Sequence, residues 1–491
     1  ADNLFAWEPW RSLRGQYGVG VPHNELLSDL ILENYVWKLF IRQCLARGEL
    51  PLWNPYIFTG VPFLAAGQHS ALYPLSIVYY VLPLPLAYGV FAALQLVLAG
   101  FGTYLFARSL GATLPAAVLG GVAFAFSLFM VVSVAFPMMI AAAAWLPWCL
   151  LAVELALRRT FSCPEGRAQL GRGIPWLSFG AVSLGMQVLA GHMEITYYVL
   201  LVCGLYSAWW LARESLRRKR LAWQGAVPIA CLVLLGLGLA AVQLVPFYEL
   251  ARTNFRSGAA GYQVTYKDIV GWAYPWRQLI TFFVPDFYGN PSVHSYIDIV
   301  SLRRLPITHN ALGEPIAEVS WGKGLPSWKN YVEAGSYVGL LPLLVVWPAL
   351  AHRRLRAVAL PFACLAVFAL LLVFGTPLYR LIFMLPGVNQ LHSPFRWVFP
   401  YTFAMACLAA LGLSALSSED GAARRAGRWV FAGATLAGGG LALLAILVLA
   451  VPQPFIALAD RLLAFSELTQ RAFADGRMFL SYQYRNLLQL A

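Results

Sequence analysis

The chain has 491 residues, 60% hydrophobic and only 12% charged, about half the charged share of a soluble domain, and its mean hydropathy is +0.65. This composition excludes a soluble globular enzyme and marks a polytopic membrane protein. The net charge of +13 does not point to nucleic acid, because no basic face interleaved with aromatics lies on a soluble segment.

Residues 1–25 show neither a basic n-region nor an apolar h-region, so an earlier span is expected ahead of residue 1. From Ser28 to about Arg47 the pattern predicts a helix. Ser28 is its N-cap with acidic residues in the first turn, and Leu30, Trp37, Ile41 and Leu45 form one stripe interrupted by Asn34. Gly48 and Pro51 stop it. Asp29 and Glu33, four residues apart, share a face, where two like charges destabilise by roughly 0.2–0.5 kcal/mol unless something lies between them. They are either a solvated face or the working end of a site. The neighbours Leu30, Ile31, Leu32, Tyr35 and Trp37 favour the second, since apolar surroundings raise a carboxyl toward the range a general base uses.

The following stretch, GELPLWNPYIFTGVPFLAAGQHSALYPLS, has too much Pro and Gly for a regular element and too many aromatics for a solvated loop. It is expected at the membrane surface, with Trp53, Tyr56, Phe58 and Phe63 at headgroup level. Gln68 and His69 within it are either structural or part of a site. Residues 73–87 carry Pro74, Pro83 and Pro85 and read as a re-entrant or interfacial helix as readily as a span.

Stretches long and apolar enough to span follow at roughly 89–107, 114–134, 138–157, 174–190, 195–212, 224–246, 336–351, 357–374, 396–416 and 429–451. Lys and Arg cluster at Arg158, Arg159, Arg167 and Arg172; at Arg213, Arg217, Arg218, Lys219 and Arg220; at Arg353, Arg354 and Arg356; and at Arg424, Arg425 and Arg428. Counting spans puts every cluster, with Arg108, on one side, which the bias of basic residues assigns to the cytoplasm. The organisation expected is a first extracytoplasmic loop (1–88), transmembrane helices (89–246), a large extracytoplasmic loop (247–335), further transmembrane helices (336–451) and a tail (452–491). The closing run YQYRNLLQLA reads as the approach to another span.

On the outward side, GHMEIT (191–196) places His192 and Glu194 in a short turn between spans. They either serve as structural hydrogen bonders or reach toward a site. Arg252, Arg256 and Lys267 follow one span, and Arg396 opens another in LHSPFRWVFPY. Arginines at helix ends snorkel to lipid headgroups or clamp a phosphate through their fork of donors. The seven cysteines are scattered, without CxxC or zinc spacing, and read as packing residues. No GxxxxGK[ST], HExxH or GxSxG occurs in usable context, which argues against a nucleotide-driven pump or a membrane protease of those types.

Several segments resemble the bacterial YfhO family, related to the GT-C glycosyltransferases. They are SDLILENYVWKLF, ELPLWNPYIFTGVPF, LAGHMEITYY, AAVQLVPFYELARTNFR, VPDFYGNP, EAGSYVGLLPLL and LPGVNQLHSPFRWVFPY, in the family's order from about residue 28 to 416. The resemblance implies an all-α polytopic GT-C-like bundle of about ten or more spans, with outward loops carrying short amphipathic helices. It implies transfer of a sugar from a polyprenyl-phosphate carrier to a glycan, lipid or protein acceptor outside the bacterial cytoplasmic membrane. Asp29 stands where such enzymes place their base. Arg252, Arg256, Lys267 and Arg396 would meet the donor phosphate. Glu33, Gln68, His69, His192 and Glu194 would bind sugar or acceptor, and Glu33, His192 and Glu194 have a divalent cation as the alternative ligand. The rivals are a non-catalytic membrane subunit of a larger complex and a flippase for a lipid-linked saccharide. A flippase would carry ionisable residues in mid-span, and these spans hold almost none except near their ends, such as Glu154.

Overall fold

The computed structural model describes residues 4–5, 7–20, 22, 24, 27–162, 170–253, 264–315, 333, 335–388 and 394–491. The protein is an all-α polytopic membrane protein. In chain order, the elements that matter below are α1 (Val36–Ala46), α2 (Leu84–Ser109), α3 (Pro137–Thr160), α4 (Met193–Arg218), α5 (Ala241–Ala251), α6 (Arg356–Val373), α7 (Pro394–Leu416) and α8 (Gly421–Ala450). Among the described residues, all of these except α1 and α5 are long and apolar enough to cross a bilayer, six in all. Each extends at least about 27 Å at 1.5 Å per residue, against a hydrocarbon layer of about 30 Å.

Two further segments qualify only as bent pairs, Leu114–Ala125 with Leu128–Ala135 (42°) and Trp223–Leu239 with Ala241–Ala251 (79°), for up to eight spans. At the first bend Ser127 restarts the helix by accepting from Met130 N (3.4 Å). The remaining two expected spans are shorter than foreseen. Ile174–Leu189 has 16 residues and Leu340–Ala351 only 12, about 18 Å of helix in the second case. The stretch 73–87 divides: a short helix, Ile77–Val81, ends at Leu82, and α2 begins at Leu84, five residues before the predicted start.

The chain forms two compact units, residues 1–32, 274–337 and 425–491, and residues 33–273 and 338–424. In the second, α3 and α7 are enclosed by the other helices. Phe403 of α7 packs edge-on to Phe124 (5.2 Å) and beside Phe106 of α2 (6.0 Å), as stacked or tilted rings prefer. Small residues let backbones approach where lipid provides no hydrophobic drive. A Cβ at Gly412 would lie 1.6 Å from the Val345 carbonyl.

The first unit is built differently. The strands Ser295–Ile297 and Arg304–Pro306 pair antiparallel, Tyr296 opposite Leu305. The helices Pro452–Ala464, Glu467–Ala472 and Gly476–Leu490 close a core of Ile307, Leu463, Phe473, Met478 and Phe479. Residues 452–491, expected as a tail, thus supply most of this core. Buried Asp298 receives two bonds from Arg477, Nε to Oδ1 at 2.7 Å and Nη2 to Oδ2 at 2.5 Å.

The expected helix after Ser28 is present, but its first part is wound differently. Leu30–Tyr35 is a π-helix and passes directly into α1. One extra residue per turn rotates the upstream part by about 100° relative to the stripe below it. Asn34, Lys38, Phe40, Ile41 and Cys44 are buried, whereas Leu45 is exposed. Asp29 belongs to the first unit and Glu33 to the second.

Candidate functional site

The second unit gathers three sequence candidates. Turn 190–192 opens α4, whose N-cap is His192: its Nδ1 accepts from Ile195 N at 3.2 Å. One turn into the helix, Tyr198 Oη donates to Glu194 Oε1 (3.3 Å). From the start of α7, Arg396 reaches both residues. Its Nε lies 3.3 Å from Glu194 Oε2 and its Nη1 3.1 Å from His192 Nε2, with Met139 Sδ 4.0 Å from the same Nη1. Arg396 and Glu194 are largely shielded, with 17% and 11% of their side-chain surface exposed, so their charges interact in a medium of reduced dielectric.

The hydrogens in this cluster decide its chemistry. Because His192 Nδ1 accepts from the backbone, a neutral ring carries its proton on Nε2. Arg396 Nη1 lies 3.1 Å from that nitrogen, which sets the guanidinium and the imidazole edge side by side. A guanidinium beside an imidazole edge suits an anionic oxygen, since charge-assisted bonds are the stronger ones.

An apolar groove of about 330 Å³ lies between Val202, Leu205 and Trp209 of α4 and Leu360, Leu365 and Phe368 of α6. A shallower hollow continues it past Val367 to Leu371. From Leu360 to Leu371 the wall is about 16 Å long. Leu205, Leu360, Val367 and Leu371 are exposed, which in a spanning segment means facing lipid. Phe368, which lines both hollows, packs edge-on to Trp397 (5.6 Å), the residue after Arg396, and Trp397 also meets Tyr198 edge-on (5.1 Å).

The turn Phe63–Ala71 abuts the start of α4. The Gly67 carbonyl comes so close to Gly191 that a Cβ there would sit 2.1 Å away, and Gly191 has φ +90°. Ser70 Oγ donates to Ala190 O (2.7 Å), and Gln243 Nε2 of α5 donates to Leu64 O (2.9 Å). His69 is buried with both ring nitrogens occupied by backbone: Nε2 donates to Phe63 O (2.8 Å) and Nδ1 accepts from Ala71 N (3.0 Å). It therefore has no nitrogen left for a sugar, and its role is to hold the turn. Burial, with Lys38 nearby, pushes it down to about 4, so it is neutral at physiological pH. Gln68 beside it is exposed.

Arg252 is exposed after α5 with its guanidinium 5.8 Å from the Tyr248 ring centre. Lys267 is exposed in the short helix Tyr266–Val270, which Thr265 and Asp268 cap reciprocally. Arg256 lies outside the described residues. Asp29 and Glu33 are exposed, yet enough chain surrounds Asp29 for burial to raise its carboxyl above the ordinary range. Among the described residues no group of three or more His, Cys, Asp or Glu is arranged to hold a metal.

Sequence reasoning missed Lys38 and Tyr198. Lys38 is wholly buried and donates to the His69 carbonyl. The signal for it was faint: a lysine four residues from Asn34, which interrupts the apolar stripe.

No family profile matches the chain, and no curated protein matches it. Among solved structures it is similar to ArnT from Cupriavidus metallidurans bound to undecaprenyl phosphate. The match has 14% identity over 92% of this chain and 72% of that one, with a TM-score of 0.43.

Proposed function

We propose that the protein is a GT-C-type membrane glycosyltransferase, which moves a sugar from a polyprenyl-phosphate donor to a cell-surface acceptor on the extracytoplasmic side of the bacterial cytoplasmic membrane. One observation carries the reading: the shielded Arg396 guanidinium stands 3.1 Å from His192 Nε2, and the next residue, Trp397, packs against Phe368 in the wall of an apolar groove. Such a site suits an amphiphile with an anionic head and a long hydrocarbon chain.

In this mechanism the Asp29 carboxylate takes the proton of the acceptor hydroxyl while its oxygen attacks the anomeric carbon. The bond from that carbon to the phosphate oxygen breaks with inversion, and polyprenyl phosphate departs with the electron pair. A carboxyl raised by burial is a stronger base than a solvated one. The charge gathering on the leaving phosphate falls to Arg396 and His192, with Arg252, Arg256 and Lys267 assigned to its outer approach. Glu194 fixes the guanidinium, and Glu33 and Gln68 are assigned to sugar or acceptor hydroxyls. Basic clusters on the opposite loops support the orientation.

A second reading is a non-catalytic subunit in which Arg396 only ties α7 to α4. The Glu194 partner, which already meets the arginine's charge, favours it. Replacing Asp29 with Asn keeps the shape and removes the base. Surface glycans analysed by mass spectrometry should lose one sugar modification while the protein level holds. An unchanged glycan profile at unchanged protein level would reject the catalytic assignment.

A further inference from the structure

Lys38 lies in α1 with 1% of its surface exposed, and among the described residues no carboxylate pairs with it. A buried charge without a counter-ion is costly, and an apolar side chain of the same length would pack there more cheaply. Lysine at this position therefore calls for a reason other than packing. Its ammonium has two contacts: it donates to the His69 carbonyl and lies 4.5 Å from the centre of the Tyr79 ring, a cation–π distance.

The His69 contact leads, bond by bond, to the anion site. His69 ties both ring nitrogens to the backbone of its own turn and stacks on Phe63 at 4.2 Å. Phe63 packs edge-on to Phe40 of α1 at 5.0 Å, so the turn is fixed to α1 by a ring contact and by the lysine. Beyond His69, Ser70 holds the Ala190 carbonyl, and the Gly67 carbonyl presses on Gly191. The next residue is His192, whose Nε2 faces Arg396.

We propose that Lys38 is a positioning residue: by gripping the His69 carbonyl it seats the turn Phe63–Ala71 against Gly191, and so sets His192 and Glu194 in register with Arg396. Its functional consequence rests on the reading of Arg396 as a phosphate clamp; the mechanical coupling does not. The titratable groups facing the ammonium are His69 from the turn and Tyr79 from Ile77–Val81. Burial keeps both neutral, pushing His69 down to about 4 and Tyr79 up beyond the physiological range. Among the described residues no anion compensates the charge of Lys38, and burial pushes it down to about 7.

The test is Lys38→Met in the full-length protein in detergent, read by amide hydrogen exchange, by thermal unfolding, and by binding of undecaprenyl phosphate. Exchange in 67–71 and 190–193 should accelerate together by about tenfold or more, while other segments keep their protection. The Tm should not fall, and at pH 7 it should exceed the wild-type value. That advantage should shrink as pH rises toward 10, because between about 7 and the ordinary lysine range the unfolded chain binds the extra proton. Ser70→Ala should free 190–193 and leave 67–69 protected. Unchanged exchange at 190–193 in Lys38→Met would overturn the proposal, as would a lowered Tm with uniformly faster exchange, the mark of a merely structural lysine. Lys38→Met should also weaken undecaprenyl phosphate binding about fivefold. If Arg396→Gln leaves that binding intact, the clamp reading fails while the exchange result still decides the coupling.

Discussion

Each of the two compact units contains an arginine that meets a shielded carboxylate, and the two pairs differ in geometry. Arg477 gives Asp298 two nitrogens at 2.7 and 2.5 Å, one for each oxygen. Arg396 gives Glu194 one nitrogen at 3.3 Å and sets another 3.1 Å from His192 Nε2. The first fork is saturated and leaves its carboxylate little to offer a ligand. The second is loosely held, with donor capacity left to exchange. An ion pair alone therefore does not mark a site, and the share of the guanidinium's donors left for another partner is the better guide.

The comparison predicts loss of function at the loose pair and loss of stability at the saturated one. The largest effect belongs to Arg396→Gln, which should lower sugar transfer by about 10²–10³, the usual loss when a donor to developing negative charge is removed. Its Tm should stay within a few degrees. A rate within threefold of wild type would put Arg396 in the same class as Arg477. Next, Arg477→Met should destabilise the first unit by about 2 kcal/mol. Breaking a buried pair costs about 3–5 kcal/mol, and this value is reduced because 43% of the Arg477 side chain is exposed to screening solvent. Undecaprenyl phosphate binding should be unaffected, which titration of the purified variant would check.

The saturated pair also has a pH signature. Arg477, together with Ser301, holds the Asp298 carboxyl well below the usual carboxylate range. Its stabilisation is complete above the unfolded value of about 4 and is lost as pH falls below it. Amide exchange in 295–306 and 476–490 should accelerate below pH 4, and Arg477→Met should abolish that step. The smallest effect is expected at Lys267, exposed and outside every ion pair among the described residues. Lys267→Gln should change donor KM by less than about threefold, with greater salt sensitivity than any variant of Arg396.

The helical membrane character was legible from composition and run length, because lipid forces every backbone group to bond within its own helix. His192, Glu194 and Arg396 were each conspicuous as polar groups at span ends. Their meeting was not, since 204 residues separate His192 from Arg396 and periodicity is blind to such distances. Leu340–Ala351 was overestimated because hydropathy counts Val338 and Gly339, which precede the helix. Lys38 escaped notice because a lysine at the flank of an amphipathic helix ordinarily stays in solvent, and the residues it meets, His69 and Tyr79, come from other segments. Residues 452–491 read as a tail because their helices are amphipathic and short, and their core partners, Ile307 and Phe287, come from far away in the sequence.

The central claim is that Arg396 holds the phosphate of a lipid whose chain lies in the groove between α4 and α6. The most direct measurement is titration of undecaprenyl phosphate into the detergent-solubilised wild type and Arg396→Gln, followed by native mass spectrometry, with undecaprenol as the uncharged control. The account predicts that wild type prefers the phosphate over the alcohol by at least tenfold and that the variant binds both alike. Equal retention of phosphate and alcohol by the wild-type protein would contradict it.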